Sequence, residues 1–559
     1  MNIRPRLRAL FQRLFFALSF SILSGASRAV ALTIEEATIA DIHAAYGNGE
    51  MTVHQVVAAY LVRIAAYDQK GPHINSIINL NPHALEEADK LDAALAAGGG
   101  KFEGALFGIP MLVKDCIDAT GMPATSGFQG WKNFYPPADA TVIARIKAAG
   151  GIILGKASLS EFTNGGGDNI NSVLPGFCRN PYNTAYATGG SSGGTGASIA
   201  SNFATVGLGT DTGGSVRMPS AHNALVGLRP TVGLVSVAGV LPNSSTRDTV
   251  GPMARTVTDL AILLDIIAGE DPADKTTERA AGHVSRSYTA GLKKDALKGA
   301  RLGVLRQVFS PQVTDPRILA NFEKTIAELK AAGADIVDPF TVPEIGTLPR
   351  ANTRTQAIAK ADMIKFLNAR PGIPYPTPEA MADSHLAHPL HQAGLEAKAK
   401  ADATSPYTDP AYLKGLEVEN ALRAAFMREM AAGRIDAVIL PVWAQLPVMN
   451  GDRNTQLMTS EPKPVAVGGT GGGALDGIVT GLGASLTNTA SSLQWPALSV
   501  PCGYLGEGLP AGLQILGRAW DEARIIRYAY AYEQATHYRR PPPTVPPLTP
   551  ASSWASPTG

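Results

Sequence analysis

The sequence predicts an α/β fold: a single large domain with a mixed, mainly parallel central sheet covered by helices on both faces. Three observations predict it. Short apolar runs bounded by glycine or polar residues alternate with amphipathic stretches of helical period, the pattern of strands and their covering helices. The chain has 559 residues, enough for one large domain of this class. Glycine (58), proline (40) and an apolar fraction of 45% suit a globular chain with many turns and close backbone approaches.

The elements follow in order. Arg4, Arg6, Arg8 and Arg13 precede the apolar run Leu14 to Leu23, no acid occurs before Glu35, and Ala29-Val30-Ala31 offers a small-x-small cleavage pattern. Residues 1–31 are therefore expected to be a signal peptide cut near Ala31, giving an exported, periplasmic or secreted product. The apolar run is too short for the ~30 Å of a bilayer core, so no stable membrane span is expected. Helices are expected over Thr33–Tyr46 and Thr52–Tyr67, the second opened by a Thr52–Gln55 capping box. Phe107–Asp115 reads as a buried strand with polar residues at its end. Thr141–Ala149 reads as a helix, with a strand from Gly151 after it. A helix over Gly194–Asn202, a strand over Ala204–Gly209 and a helix over Val257–Ala268 continue the alternation.

Residues 350–410 and 450–475, including the GGTGGG run at Gly468–Gly473, show little periodicity and are expected to be lid loops. The domain spans 32–539. The proline-rich segment 540–559 is expected to be a disordered tail.

A formal charge of +1 excludes the concentrated positive charge that nucleic-acid or polybasic membrane binding requires. Cys116, Cys178 and Cys502 are too scattered for a disulfide framework or a zinc site. His385, His388 and His391 share a spacing of three, but Pro389 interrupts a helix there and no carboxylate or cysteine completes a site. An exposed polar loop is expected, and no metal.

The chemistry centres on GGSSGGTGAS, Gly189 to Ser198. It is not a phosphate loop, because Thr195 stands where the lysine should be. It formally contains G-x-S-x-G, but the residues before it are polar and interrupted by Pro181, unlike the buried strand that a nucleophile elbow needs. Further on, GTDTGGSVRMPS places Ser215 after a buried strand and a Gly-Gly pair. Thr212, Gly213, Gly214 and Ser215 offer consecutive backbone N–H donors for a developing oxyanion, with Ser215 as the candidate nucleophile. A base is still needed. His222 is near but reads as a packed histidine. Lys114, at the end of PMLVKD, can act only if burial depresses its pKa. A shift of about three units costs roughly 4 kcal/mol, which a large domain can carry. Ser191 would relay the proton between Ser215 and Lys114.

VKDCID around Lys114, GGSSGGTGAS around Ser191 and GLGTDTGGSVRMPSAHNALVGLRPT around Ser215 together resemble the amidase signature family. Arg247–Gly269 and Trp495–Gly517 look like its later blocks, and the resemblance covers roughly residues 33–538. It implies a Ser–cis-Ser–Lys triad in which Ser215 matches the nucleophile, Ser191 the bridging serine in a cis peptide, and Lys114 the base. Thr212, Gly213 and Gly214 match the oxyanion loop, Ser192 and Asp211 match supporting positions, and Thr163 falls where a substrate-facing residue is found. The implied reaction is hydrolysis of a small carboxamide or a peptide C-terminal amide through an acyl-enzyme, with no cofactor. Esterase or carbamate hydrolysis on the same triad, or an A-type amidotransferase subunit that takes ammonia from glutamine, are the alternatives. A monomer or homodimer without nucleic acid fits the resemblance.

Overall fold

In the computed structural model, residues 33–163, 172–312, 314–349, 353–450 and 486–548 are described. The leader with its cleavage site, the GGTGGG segment and the end of the tail lie outside the described residues. The strands are β1 (Ile77–Leu80), β2 (Pro110–Lys114), β3 (Ile152–Ala157), β4 (Val206–Asp211), β5 (Val226–Arg229), β6 (Thr249–Ala254), β7 (Arg301–Val304), β8 (Asp335–Val337), β9 (Ala437–Pro441), β10 (Ala497–Tyr504) and β11 (Pro510–Leu516). They form one 11-stranded sheet in the order β1-β3-β2-β4-β6-β5-β10-β11-β9-β7-β8.

The sheet is mixed. Pairing is parallel across β3-β2-β4 and β9-β7-β8 and antiparallel at every other junction. The expectation of mainly parallel strands thus holds at two places and not in the middle. Parallel neighbours need a crossover, which the helices Thr141–Ala148 and Gly193–Ala200 supply between β2, β3 and β4. β2, β3 and β4 are buried along their whole length, as near-continuous apolar runs covered on both faces must be. One cover is the helix Val257–Ile267, capped by Thr256 and burying Leu260, Leu263, Leu264 and Ile267.

The first expected helix starts late, at Ile39, because Thr38 and Asp41 form a capping box that fixes its first turn. The Thr52–Gln55 box forms as expected. Segment 350–410 is corrected: its described part is largely helical, over Gln356–Asn368, Pro378–Asp383 and Pro389–Lys400, followed by Pro410–Ala432. Three of these begin at a proline. Proline breaks a helix interior but suits the first turn, where no backbone N–H donor is missed. Thr355, Thr377, His388 and Asp409 cap the four starts.

The start of the expected disordered tail is also held in place. Val545 is buried, and Arg63, itself buried, donates to the carbonyls of Val545 and Pro546. Tyr182 Oη donates to the carbonyl of Arg540 at 2.6 Å. Among the described residues no helix is long and apolar enough to cross a membrane.

Candidate active site

β2 and β4 run parallel at the centre of one half of the sheet, and each ends in a charged residue. β2 delivers Lys114 and β4 delivers Asp211. The GGSSGG turn lies over these ends and leads into the helix Gly193–Ala200. That helix can approach because position 194 lacks a side chain: a Cβ there would lie 2.2 Å from the Ser158 carbonyl oxygen.

Lys114 is fully buried, and its Nζ lies 2.7 Å from both Ser191 Oγ and Thr210 Oγ1. Burial lowers its pKa to about 8, against the opposing pull of Cys116, Asp211 and Asp248. The peptide bond Gly190–Ser191 is cis. Ser192 joins this turn to the next loop. Its N–H donates to the Ser215 carbonyl at 3.1 Å, and its Oγ bonds both the N–H and the carbonyl of Thr210 at 3.2 Å.

Asp211 holds the loop that carries Ser215. Its carboxylate accepts from the N–H of Gly214 at 2.9 Å and of Val216 at 3.1 Å. It also accepts from Arg217 at 3.0 and 3.1 Å and from Arg229 at 3.0 Å, and all three side chains are buried. Burial alone would raise its pKa, but the two guanidiniums outweigh that and hold it well below the usual carboxylate range.

One expectation changes here. The N–H of Gly214 is committed to Asp211, so Gly214 does not serve as an oxyanion donor in this arrangement. Its role is conformational: φ is +129°, and a Cβ would meet Thr487 Oγ1 at 2.2 Å. Among the described residues no protein acceptor faces the N–H groups of Thr212, Gly213 and Ser215. These three, beside a half-buried Ser215, are the donors left for an oxyanion.

Thr163 sits in a tight turn over Glu161–Thr163, buried, with φ +57° and its hydroxyl unpartnered among the described residues. It is linked to the loop indirectly. Asn243 Nδ2 donates to its carbonyl at 3.0 Å, the Asn243 N–H donates to Asp248 at 2.7 Å, and Thr212 Oγ1 donates to the same carboxylate at 2.5 Å. Asp248, Thr210, Arg217 and Arg229 were not anticipated as site residues. Thr210 had a signal, since it adjoins Asp211 on the strand paired with β2. Arg217 also had one, since it stands in the GTDTGGSVRMPS motif close behind Ser215. Arg229 had none, because only the fold brings it back to Asp211.

The other candidates behave as packing groups. Cys116 is buried 3.7 Å from Thr210 Oγ1, and burial pushes its thiol pKa up. The three cysteines are free. His222 is buried, and desolvation lowers its pKa to about 3. His388 caps its own helix, with Nδ1 accepting from the Leu390 N–H at 3.2 Å. No group of metal-ligating side chains occurs among the described residues.

The model of the Amidase family matches residues 55–526. The chain belongs to this family. This amidase is similar to the A-type subunit of glutamyl-tRNA(Gln) amidotransferase from Thermosynechococcus vestitus, 33% identical over 512 residues, covering 90% of this chain and 99% of that protein. The corresponding protein of Geobacter metallireducens is 34% identical over 508 residues, covering 89% and 97%. Among solved structures, the peptide amidase of Stenotrophomonas maltophilia superposes with a TM-score of 0.77 at 34% identity, covering 91% of this chain and 98% of that one.

Truncating Asp211 to alanine leaves two buried guanidiniums without their counter-charge, a change that costs about 3–5 kcal/mol. The native pKa lies below the unfolded one, so this stabilisation is present at neutral pH. It is lost as pH falls below about 3.9. Urea unfolding of Asp211→Ala at pH 7 should show the full loss, and a variant within about 1 kcal/mol of the parent contradicts the assignment.

Proposed function

We propose that this enzyme hydrolyses a carboxamide, of the small-amide or peptide C-terminal-amide kind, through an acyl-enzyme on Ser215. The observation that carries the reading is the buried Lys114, bonded to Ser191 at 2.7 Å with its pKa drawn down to about 8. At that value about a tenth of the molecules hold a neutral amine at pH 7, enough for a general base.

Ser215 Oγ attacks the carbonyl carbon and passes its proton to Ser191 Oγ, whose own proton goes to Lys114 Nζ. The oxyanion falls to the free N–H groups of Thr212, Gly213 and Ser215. Lys114 then returns the proton through Ser191 to the leaving nitrogen, the C–N bond breaks, and an ester on Ser215 remains. Water, deprotonated by the same relay, attacks that ester and releases the carboxylic acid and free Ser215. Ser192 and Asp211 position the two loops, and Thr163 stands on the turn expected to face substrate. Esters and carbamates are open to the same attack.

A second reading is an A-type amidotransferase subunit, supported by the identity to the amidotransferase proteins of the two bacteria named above. The likeness to peptide amidase, at equal identity, supports hydrolysis by the chain alone. The arginine-rich leader supports export with cleavage near Ala31.

Purified Ser215→Ala should lose amide hydrolysis by a factor of about 10³ or more, with labelling by a serine-directed fluorophosphonate abolished. Labelling that persists on Ser191 in this variant contradicts the assignment. For export, N-terminal sequencing of chain recovered outside the cytoplasm should begin near Leu32. Retention of Met1 on that chain speaks against it.

A further inference from the structure

Two carboxylates, not one, hold the loop that carries the oxyanion donors. Asp211 fixes its far half, through the N–H groups of Gly214 and Val216. The near half is held by Asp248. β4 and β6 pair antiparallel with Asp211 opposite Thr249, and one step further that register sets Thr212 beside Asp248. Thr212 Oγ1 donates to Asp248 Oδ1 at 2.5 Å.

Between Asp211 and Ser215 only Thr212 has a side chain, since Gly213 and Gly214 follow it. The Gly213–Gly214 peptide is held from both sides: Thr487 Oγ1 donates to its carbonyl at 2.6 Å and its N–H bonds Asp211. The two peptides before it carry the oxyanion donors. The Asp211 carbonyl accepts from Arg229 Nη1 at 2.5 Å, and in a planar trans peptide this turns the Thr212 N–H the opposite way. The direction of the Gly213 N–H follows from the rotation at Thr212. Threonine is β-branched, so fixing its hydroxyl fixes χ1 and narrows the backbone angles compatible with it.

Asp248 is itself fixed. Its Oδ2 accepts from the N–H groups of Asn243 and Ser244, each at 2.7 Å, and its own N–H donates to the Ser244 carbonyl at 2.9 Å. That turn is moored at two further points. The Ser245 N–H donates at 2.8 Å to Asp362 on the helix Gln356–Asn368, and Asn243 Nδ2 donates to the Thr163 carbonyl at 3.0 Å. The carboxylate that holds Thr212 is thus tied to a covering helix and to the turn expected to face substrate.

We propose that Asp248 is a positioning residue for the hydrolysis: through the Thr212 hydroxyl it aims the N–H groups of Thr212 and Gly213 at the developing oxyanion. In this role Asp248 touches no reacting atom, and the bond changes set out above are unaltered. This inference rests on the amidase reading of Ser215. Donors aimed at charge that develops only in the transition state lower the barrier without tightening substrate binding. Loosening them therefore lowers kcat and leaves KM nearly unchanged.

The test uses whichever of butyramide, benzamide and glycyl-phenylalaninamide the wild-type protein cleaves fastest. kcat is expressed per Ser215 that fluorophosphonate labels, so that misfolded protein does not count. Thr212→Val keeps the side chain's shape and the backbone N–H but removes the hydroxyl. It should lower kcat about tenfold or more, with KM within about twofold of the parent. Thr212→Ser should keep most of the rate. Asp248→Ala should lower kcat by a like factor, and in the double variant the two losses should not multiply, since both cut the same bond. A kcat for Thr212→Val within about twofold of the parent, Thr212→Ser as slow as Thr212→Val, a loss carried by KM, or losses that multiply overturns the proposal while leaving the amidase reading intact. If Asp248→Ala does not fold, the comparison of Thr212→Val with Thr212→Ser decides alone. If the wild-type protein cleaves none of the three amides and fluorophosphonate does not label Ser215, the amidase reading fails and this proposal falls with it.

Discussion

Asp211 is the group on which the rest of the site depends. A carboxylate at the end of a central strand, sealed from water, is tolerable only with strong partners, and Arg217 and Arg229 supply two positive charges to its one. The surplus is spread outward. Arg217 also donates to the Thr487 carbonyl and Gln514 Oε1, each at 2.8 Å, and to Ser491 Oγ at 3.0 Å. Arg229 reaches the carbonyl of Arg247 at 2.7 Å. One ion cluster thus fixes the Ser215 loop, the helix Arg217–His222, β5 and β11 relative to one another.

Lys114 meets the same constraint with the opposite solution. It has no carboxylate in contact, only the hydroxyls of Ser191 and Thr210, so burial acts on its charge with little compensation. Asp211 and Asp248 are near enough to oppose that shift and not to cancel it. The outcome is a lysine poised near neutrality, where a proton acceptor works best. The positioning of Asp211 therefore sets the shape of the loop, while burial, which Asp211 only partly opposes, sets the basicity of the group that would activate it.

Much of this was legible in the chain. Lys114, Ser191 and Ser215 stand in motifs whose spacing and glycine content require turns beside buried strands, and the structure brings the first two into contact. The capping box at Thr52 and the burial of β2 were readable because each depends on local sequence. The helical nature of 350–410 was not, because Pro378, Pro389 and Pro410 look like breakers until their first-turn positions are known. The antiparallel middle of the sheet was hidden too, since strand direction depends on long-range pairing. The commitment of the Gly214 N–H to Asp211 could not be foreseen. A Gly-Gly pair shows only that a backbone is free to turn, not which N–H groups a neighbouring carboxylate will take.

The central claim is that a buried, neutral Lys114 serves as the base. The measurement that tests it most directly is the pH dependence of kcat/KM on a neutral amide, for the wild-type protein and for Lys114→Ala. The account predicts a single ionisation near pH 8, with the rate rising about tenfold per unit below it and level above, and loss of that limb in the variant. A rate independent of pH between about 6 and 9, or a limb near the histidine value of about 6.5 that persists without Lys114, would contradict it.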